Sequence, residues 1–189
     1  LFSDAVGRLE PHTIAGPTGQ AGPAVVLDED GLRITAFAVT HDPVKPAYGY
    51  RFDYGGRSLV VSGDTTKDRA VIEAARGADV LFHEAQANHI VAQIGEAAAQ
   101  ADRPRIAKIM SDIPTYHSSP VQAAEVANEA GVKLLVLYHL TPPPPARIVE
   151  WVFTRGVADV RPDGWLLADD GLLVELPVDS AAVTTRILR

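Results

Sequence analysis

Residues 58–65 read Ser-Leu-Val-Val-Ser-Gly-Asp-Thr, a short apolar run that ends on Asp64. Aliphatic and β-branched residues in such a run predict a buried strand, with the carboxylate just past its end. Three histidines, His41, His117 and His139, lie beyond other strand-like runs. Imidazole nitrogens and carboxylate oxygens gathered at strand ends suit zinc and similar divalent metals. A catalytic metal site is therefore the leading interpretation.

Composition limits the classes of protein and partner. The chain has 189 residues, of which 47% are hydrophobic, enough for one well-packed domain. Its 24 acidic and 17 basic residues give a formal charge of −7, which argues mildly against a nucleic-acid partner because such proteins usually present a basic face. The absence of cysteine excludes thiolate ligands. No apolar run approaches the ~20 residues that cross a bilayer, so no membrane span is predicted. The cellular compartment stays open.

Turn-forming residues divide the chain into a regular order of elements. Residues 1–23 are rich in glycine and proline and predict a loop. Glycine-containing turns at 28–31 and 55–56 predict two hairpins. The other predicted elements are a helix over 66–76 capped by Thr65 or Thr66, a strand over 80–82, a helix over 87–101, an irregular and mobile connection over 102–113, a helix from the Ser119 cap to Ala130, a strand over 133–138, a helix over 146–155 and a hairpin over 165–176. This order predicts an α/β (α+β) domain with helices on one face of a mixed sheet.

Five short motifs, most of them preceded by a strand-like run, follow one another along the chain. They are Thr40-His41-Asp-Pro-Val, Val61-Ser-Gly63-Asp64-Thr65, Phe82-His83-Glu84-Ala85, Tyr116-His117-Ser118-Ser119 and Leu137-Tyr-His139-Leu-Thr-Pro142. In order and spacing they resemble the metallo-β-lactamase-fold hydrolases, in particular the ribonuclease Z and arylsulfatase-like branch. The resemblance implies the αββα sandwich of that family.

One motif of that family does not occur in these 189 residues. The family carries a His-x-His-x-Asp-His loop in its N-terminal half, whereas His12 stands alone between Pro11 and Thr13. The resemblance therefore implies a single metallo-β-lactamase-like domain over 1–189 that is incomplete at its N-terminus. We expect this chain to supply mainly the C-terminal half of the sandwich, with 1–23 as an entry loop.

The resemblance also implies a role for each candidate residue. His41 and His139 would each ligate one of two divalent metal ions, and Asp64 would bridge the pair. Zinc is favoured, with manganese or iron as alternatives. His117 would help the leaving group depart, and Glu84 would orient His117. Each residue also has an ordinary alternative: Asp64 as a helix cap, His41 as a turn residue, His139 as a buried histidine and Glu84 as a solvated carboxylate.

The function that follows from these roles is hydrolysis of a phosphodiester or related ester by a metal-activated water, with a small-molecule ester as substrate. Only 22 residues lie between positions 41 and 64, which leaves no room for the long basic arm of tRNA-processing ribonuclease Z. Nucleic acid is therefore the less favoured substrate. A homodimer is implied by the resemblance alone. The alternative function is a metal-free relative of the fold that serves as a binding or assembly module, which the missing histidine loop supports.

Overall fold

The computed structural model describes residues 22–188, and nine strands lie in this part of the chain. They are β1 (Ala24–Glu29), β2 (Leu32–Ala38), β3 (Tyr48–Tyr54), β4 (Arg57–Val61), β5 (Val80–Gln86), β6 (Leu134–Thr141), β7 (Trp165–Leu167), β8 (Leu172–Glu175) and β9 (Thr184–Ile187). Strands β1 to β7 form one sheet in sequence order, and β8 pairs with β9 in a separate ribbon. The sheet is antiparallel from β1 to β4 and parallel from β4 to β7. It is the mixed sheet that the sequence predicts.

Both predicted hairpins of the antiparallel half are confirmed. Gly31 joins β1 to β2, and Gly55 and Gly56 join β3 to β4. All three have positive φ, between 53° and 80°, which glycine adopts without steric cost. The glycines therefore fix the two reversals that bring β2, β3 and β4 side by side.

Six α-helices lie in the described chain. They are α1 (Arg69–Ala75), α2 (Asn88–Gln100), α3 (Pro104–Asp112), α4 (Pro120–Ala130), α5 (Arg147–Phe153) and α6 (Val157–Val160), with a 3-10 turn over Ile113–Thr115. The Ser119 cap of α4 is confirmed: its side chain accepts from the backbone N–H of Gln122, whose own side chain accepts from the Ser119 N–H, and Gly131 ends the helix in the left-handed conformation. None of the helices in residues 22–188 combines the length and apolar character that crossing a membrane requires.

The two faces of the sheet differ in what covers them. Because side chains alternate along a strand, Val60, Leu81 and Leu135 point to the face that carries α1 and α4, where they are fully buried. Leu59 and Phe52 point to the opposite face, where they are half-buried in an apolar cleft of about 460 Å³. Helices α1 and α4 therefore lie over one face of the sheet, in line with the prediction.

Helix α1 begins later than the sequence predicts. Its cap is Asp68, whose carboxylate accepts from the N–H of Ala70 at 2.8 Å, so neither Thr65 nor Thr66 is the cap. Thr65 is fully buried, and its N–H donates instead to Glu84. The residues between β4 and α1 are thus used to build a loop rather than a first helical turn.

The predicted irregular connection over 102–113 is wrong, because α3 forms there and packs on α2. Pro104 occupies the first turn, where a missing N–H costs nothing. A Cβ at Gly95 of α2 would lie 3.1 Å from the Cβ of Met110, so glycine allows the two helices to approach closely. Helix α3 buries no residue fully, which is why its sequence looks polar.

The predicted hairpin over 165–176 is also wrong. Strand β7 adds to the edge of the main sheet, parallel to β6, with Leu135 opposite Trp165. Strand β8 leaves the sheet and pairs antiparallel with β9. Trp165 and Leu167 pack against the buried core, which favours β7 at the sheet edge over a hairpin with β8.

Candidate metal centre

All the candidate ligands lie at one end of the strands. The parallel strands β4, β5 and β6 have their C-terminal ends there, which places Asp64, Glu84 and His139 close together. One ring nitrogen of His41, one carboxylate oxygen of Asp64 and one ring nitrogen of His117 all lie within 4.8 Å of one another. His139 Nε2 lies 3.5 Å from Asp64 Oδ1. The Asp64 carboxylate therefore lies among three imidazoles that come from separate segments of the chain.

Backbone contacts hold the loops that carry His41 and Asp64. The N–H of Thr40 donates to the Asp68 carboxylate at 2.8 Å, and the N–H of Thr66 donates to the Thr40 carbonyl at 3.0 Å. Gly63 has φ +64°, and a Cβ there would collide with the carbonyl oxygen of Tyr48. Only glycine fits this turn, so its position immediately before Asp64 fixes where the carboxylate emerges.

A β-bulge presents His139. Glu84 pairs with Tyr138 and Ala85 pairs with Leu140, so His139 is the extra residue on β6. Its φ is +48°, in the left-handed region that non-glycine residues rarely adopt. Bulges are frequent beside active sites because they turn a side chain out of the strand's regular alternation. Here the bulge coincides with the imidazole that faces Asp64.

Glu84 connects β5 to the other side of the site. It is 1% exposed, and its Oε1 accepts from the N–H of Thr65 at 3.1 Å, the N–H of Ser118 at 3.0 Å and Nδ1 of His117 at 3.0 Å. The last contact places the proton of neutral His117 on Nδ1 and leaves Nε2 for the cluster. Burial lowers the pKa of His117, but the hydrogen bond and charge of Glu84, with the charge of Asp64, raise it above the ordinary value.

Two further aromatic side chains border the cluster. His83 is fully buried and contacts the Glu84 carbonyl at 2.8 Å, and burial lowers its pKa, so it packs behind the site as a neutral ring. The Tyr116 ring meets the His41 ring edge-on at 5.2 Å and lies 5.1 Å from the His117 ring. Sequence reasoning missed Tyr116, for which the available signal was its place directly before His117.

The residues present fit a divalent metal. His41 Nε2 is buried and has no hydrogen-bond partner among the described residues, whereas buried polar atoms are normally paired. An imidazole nitrogen without a protein partner, next to a carboxylate, is the donor arrangement that zinc takes in proteins. The alternative of Asp64 as a helix cap does not apply, since Asp68 caps α1.

Comparison with known proteins assigns the chain to a family. The model of the "Beta-lactamase superfamily domain" family matches residues 4–140. The chain belongs to this superfamily. Ribonuclease Z of Mycobacterium tuberculosis (strain ATCC 25618 / H37Rv) is 38% identical over 122 residues, which are 65% of this chain and 40% of that protein. Ribonuclease Z of Mycobacterium avium (strain 104) is 40% identical over 117 residues, covering 62% of this chain and 38% of that protein.

A solved structure supports the same fold. The metallo-beta-lactamase fold protein YhfI from Bacillus subtilis aligns with a TM-score of 0.54 at 21% identity, over 87% of this chain and 51% of that chain. The predicted metallo-β-lactamase fold and ribonuclease Z-like branch are therefore confirmed. The chain matches less than half the length of these ribonucleases.

Proposed function

We propose that the complete protein is a metal-dependent hydrolase that cleaves a phosphodiester or related ester. The observation that carries this proposal is the convergence of His41, Asp64 and His117 within 4.8 Å, with His139 at 3.5 Å from Asp64. Hydrolysis of such esters is disfavoured chiefly by the charge that develops on oxygen, and a cation held by His41, Asp64 and His139 would oppose that charge.

The residues that would hold the ions are His41, Asp64 and His139. We propose two ions, zinc in the first place and manganese or iron as alternatives, and Asp64 would contribute to holding both. When bound, such ions supply a water that is reactive near neutral pH. The bulge that presents His139 and the glycine turn that presents Asp64 hold these side chains in place before any ion arrives.

His117 would act as the acid of the reaction. One water is consumed, the ester bond to the leaving oxygen breaks, and the proton on Nε2 of His117 passes to that oxygen. Glu84 would be its positioning residue, because its carboxylate holds Nδ1 at 3.0 Å while the N–H groups of Thr65 and Ser118 hold the carboxylate.

We also propose that the domain includes a further half that covers the sheet face bearing the apolar cleft. Phe52, Leu59 and Val61 line the apolar cleft on that face, and apolar sheet faces are normally covered by a second layer. The His-x-His-x-Asp-His loop that the family resemblance implies would belong to this half. The partial match to the ribonucleases is consistent with such an arrangement.

A homodimer is part of the proposal. Ile148 and Trp151 lie one turn apart on α5 and are 70% and 69% exposed. In a dimer, these two side chains would be buried together at the interface between the chains. Analytical ultracentrifugation of the complete protein tests it: a dimer that Trp151→Glu dissociates supports the proposal, and a monomeric wild type contradicts it.

The hydrolase proposal is tested by comparing two leaving groups. The complete, metal-loaded protein is assayed on phosphodiesters that release either 4-nitrophenol or a simple alkyl alcohol, as wild type, His117→Ala and the control His89→Ala. His89 is exposed on α2, and among the described residues its side chain forms a hydrogen bond only with the Val152 carbonyl.

We expect His117→Ala to lower kcat on the alkyl ester by about 10²–10⁴-fold and much less on the nitrophenyl ester, which departs without a proton. The control should match the wild type on both. Equal losses on both esters would contradict the role of His117 as the acid. A complete protein that binds no metal and hydrolyses no ester would contradict the hydrolase proposal and favour the binding-module function.

A further inference from the structure

A cavity of about 790 Å³ opens beside the metal centre and shares His139 with it. The end of β6, the proline run 143–145 and the chain after β7 form its walls. The volume lies in the range of small-molecule sites. Three consecutive prolines restrict the backbone of one wall, so the shape of the cavity is largely preformed. Because His139 also lies 3.5 Å from Asp64, a molecule in this cavity would be next to the reacting centre.

The charges around this cavity have one sign. Its described lining contains the carboxylates of Glu150, Asp169 and Asp170 and no lysine or arginine. Within residues 22–188 none of the three carboxylates takes part in an ion pair. A cleft lined by one sign of charge raises the local concentration of ligands of the opposite sign. The further phosphates of a polynucleotide would be repelled here.

The remaining lining suits a compact group with an apolar surface. Leu140 and Leu167 lie in its wall and are aliphatic. Carboxylates beside aliphatic walls favour an alkylated ammonium group over a neutral or anionic one.

We propose that this cavity binds one substituent of the ester substrate and that Glu150, Asp169 and Asp170 select a cationic substituent. The inference rests on the proposed hydrolase function and assigns its substrate class: a small ester with an ammonium-bearing alcohol. Hydrolysis consumes one water, breaks one phosphorus–oxygen ester bond and releases an alcohol, a phosphomonoester and a proton. The ammonium group takes no part in the bond changes and contributes only binding.

The test uses two 4-nitrophenyl phosphodiesters that differ in one charge. One carries choline as its second alcohol, and the other carries 3,3-dimethylbutanol, the neutral group of the same shape. The ratio of their kcat/KM values is measured for the complete, metal-loaded protein as wild type and as the double variant Asp169→Asn/Asp170→Asn. Asparagine keeps the side-chain oxygen that accepts from the N–H of Asp170. The matched control is Asp28→Asn/Asp30→Asn, which removes two charges from the β1–β2 turn, away from the cavity.

We expect the wild type to prefer the choline ester by about tenfold, since a few partly exposed charge contacts are each weak and together give a ratio of this size. The ratio should fall toward one in the Asp169/Asp170 variant and stay at the wild-type value in the control. Equal rates on both esters in the wild type, or a ratio that survives the double substitution, would overturn this inference and leave the hydrolase function standing. Hydrolysis of neither ester, with metal bound, would overturn the proposed function and this inference with it.

Discussion

The two ends of strands β4, β5 and β6 both carry charged residues, but the residues differ in how they are satisfied. At the starting end, the buried Asp79 carboxylate accepts from Arg57 Nε at 2.9 Å, from Lys133 Nζ at 2.7 Å and from the N–H of Ser58 at 3.1 Å. At the finishing end, His41 Nε2 and Glu84 Oε2 are buried without a hydrogen-bond partner among the described residues. The same sheet thus has one end whose buried charges are paired and one end with unpaired polar atoms.

We interpret this difference as one between charges that stabilise the fold and groups that a bound ligand would pair. Arg57 also donates to the carbonyls of Pro177, Ser180 and Ala182, so the Asp79 cluster fastens the chain between β8 and β9 to the sheet. Unpaired buried polar atoms destabilise a protein, and proteins retain them mainly at functional sites. We therefore expect substitutions at the starting end to change stability and substitutions at the finishing end to change metal binding.

The largest expected effect on stability is that of Arg57→Ala. The substitution removes the buried partner of Asp79 and leaves the carboxylate only the half-exposed Lys133 and the N–H of Ser58. We therefore expect the free energy of unfolding to fall by about 3 kcal/mol, the lower end of the range for a broken buried pair. The measurement is chemical denaturation. The matched control is Arg33→Ala, whose partner Asp28 is 3.8 Å away and whose side chain is 55% exposed; its effect should stay below about 1 kcal/mol. Equal effects of the two substitutions would show that the buried Arg57–Asp79 pair contributes no more to stability than an exposed pair.

An intermediate loss of stability is expected when the pH is lowered. The hydrogen bond from Arg57, helped by Lys133 and the N–H of Ser58, outweighs burial and holds the pKa of Asp79 well below its usual value. A carboxyl whose folded pKa is depressed stabilises the protein above its unfolded pKa of about 3.9 and loses that contribution as the pH falls toward the folded pKa. We expect about 2 kcal/mol of unfolding free energy to disappear below about pH 4.

Asp79→Asn sharpens this prediction. The variant should be less stable than the wild type at pH 7 and should show a flatter decline of unfolding free energy between about pH 5 and pH 2. Denaturant titrations at several pH values measure both. An acid decline as steep in the variant as in the wild type would show that the pKa of Asp79 is not depressed by this cluster.

The smallest expected effect concerns the left-handed backbone of His139. Because φ is +48°, glycine should suit the position better than alanine. We expect metal-free His139→Gly to be more stable than His139→Ala by about 1 kcal/mol, with both variants losing metal affinity. Denaturation midpoints of the two variants give the difference. Alanine equal to or better than glycine would mean that the bulge does not impose a left-handed conformation.

Much of the fold and of the site was predictable because its signals are local. Gly31, Gly55 and Gly56 predict the hairpins from turn geometry alone, and Ser119 predicts the start of α4. The convergence of Asp64 and His139 follows from the parallel strands that precede them, since the ends of such strands share one edge of the sheet.

The remaining features depend on contacts between distant residues. Helix α3 packs on α2 at Gly95, and the sequence of residues 102–113 alone carries no sign of that contact. The sequence Asp169-Asp170-Gly171 is typical of a hairpin turn, but β7 pairs with β6 instead of with β8. The Asp79 cluster joins residues that are 22 and 54 positions away, so composition and periodicity give no sign of it.

The central claim is that the finishing end of the sheet binds metal, and metal content after dialysis tests it most directly. The complete protein is compared as wild type, Asp64→Asn and Asp79→Asn by elemental analysis, with denaturation midpoints of the same samples after chelation. We expect about two divalent ions per chain in the wild type and in Asp79→Asn, and a clear loss in Asp64→Asn. The midpoint should fall only in Asp79→Asn. A wild type without metal, or an Asp64→Asn variant that keeps its full metal content, would contradict the claim.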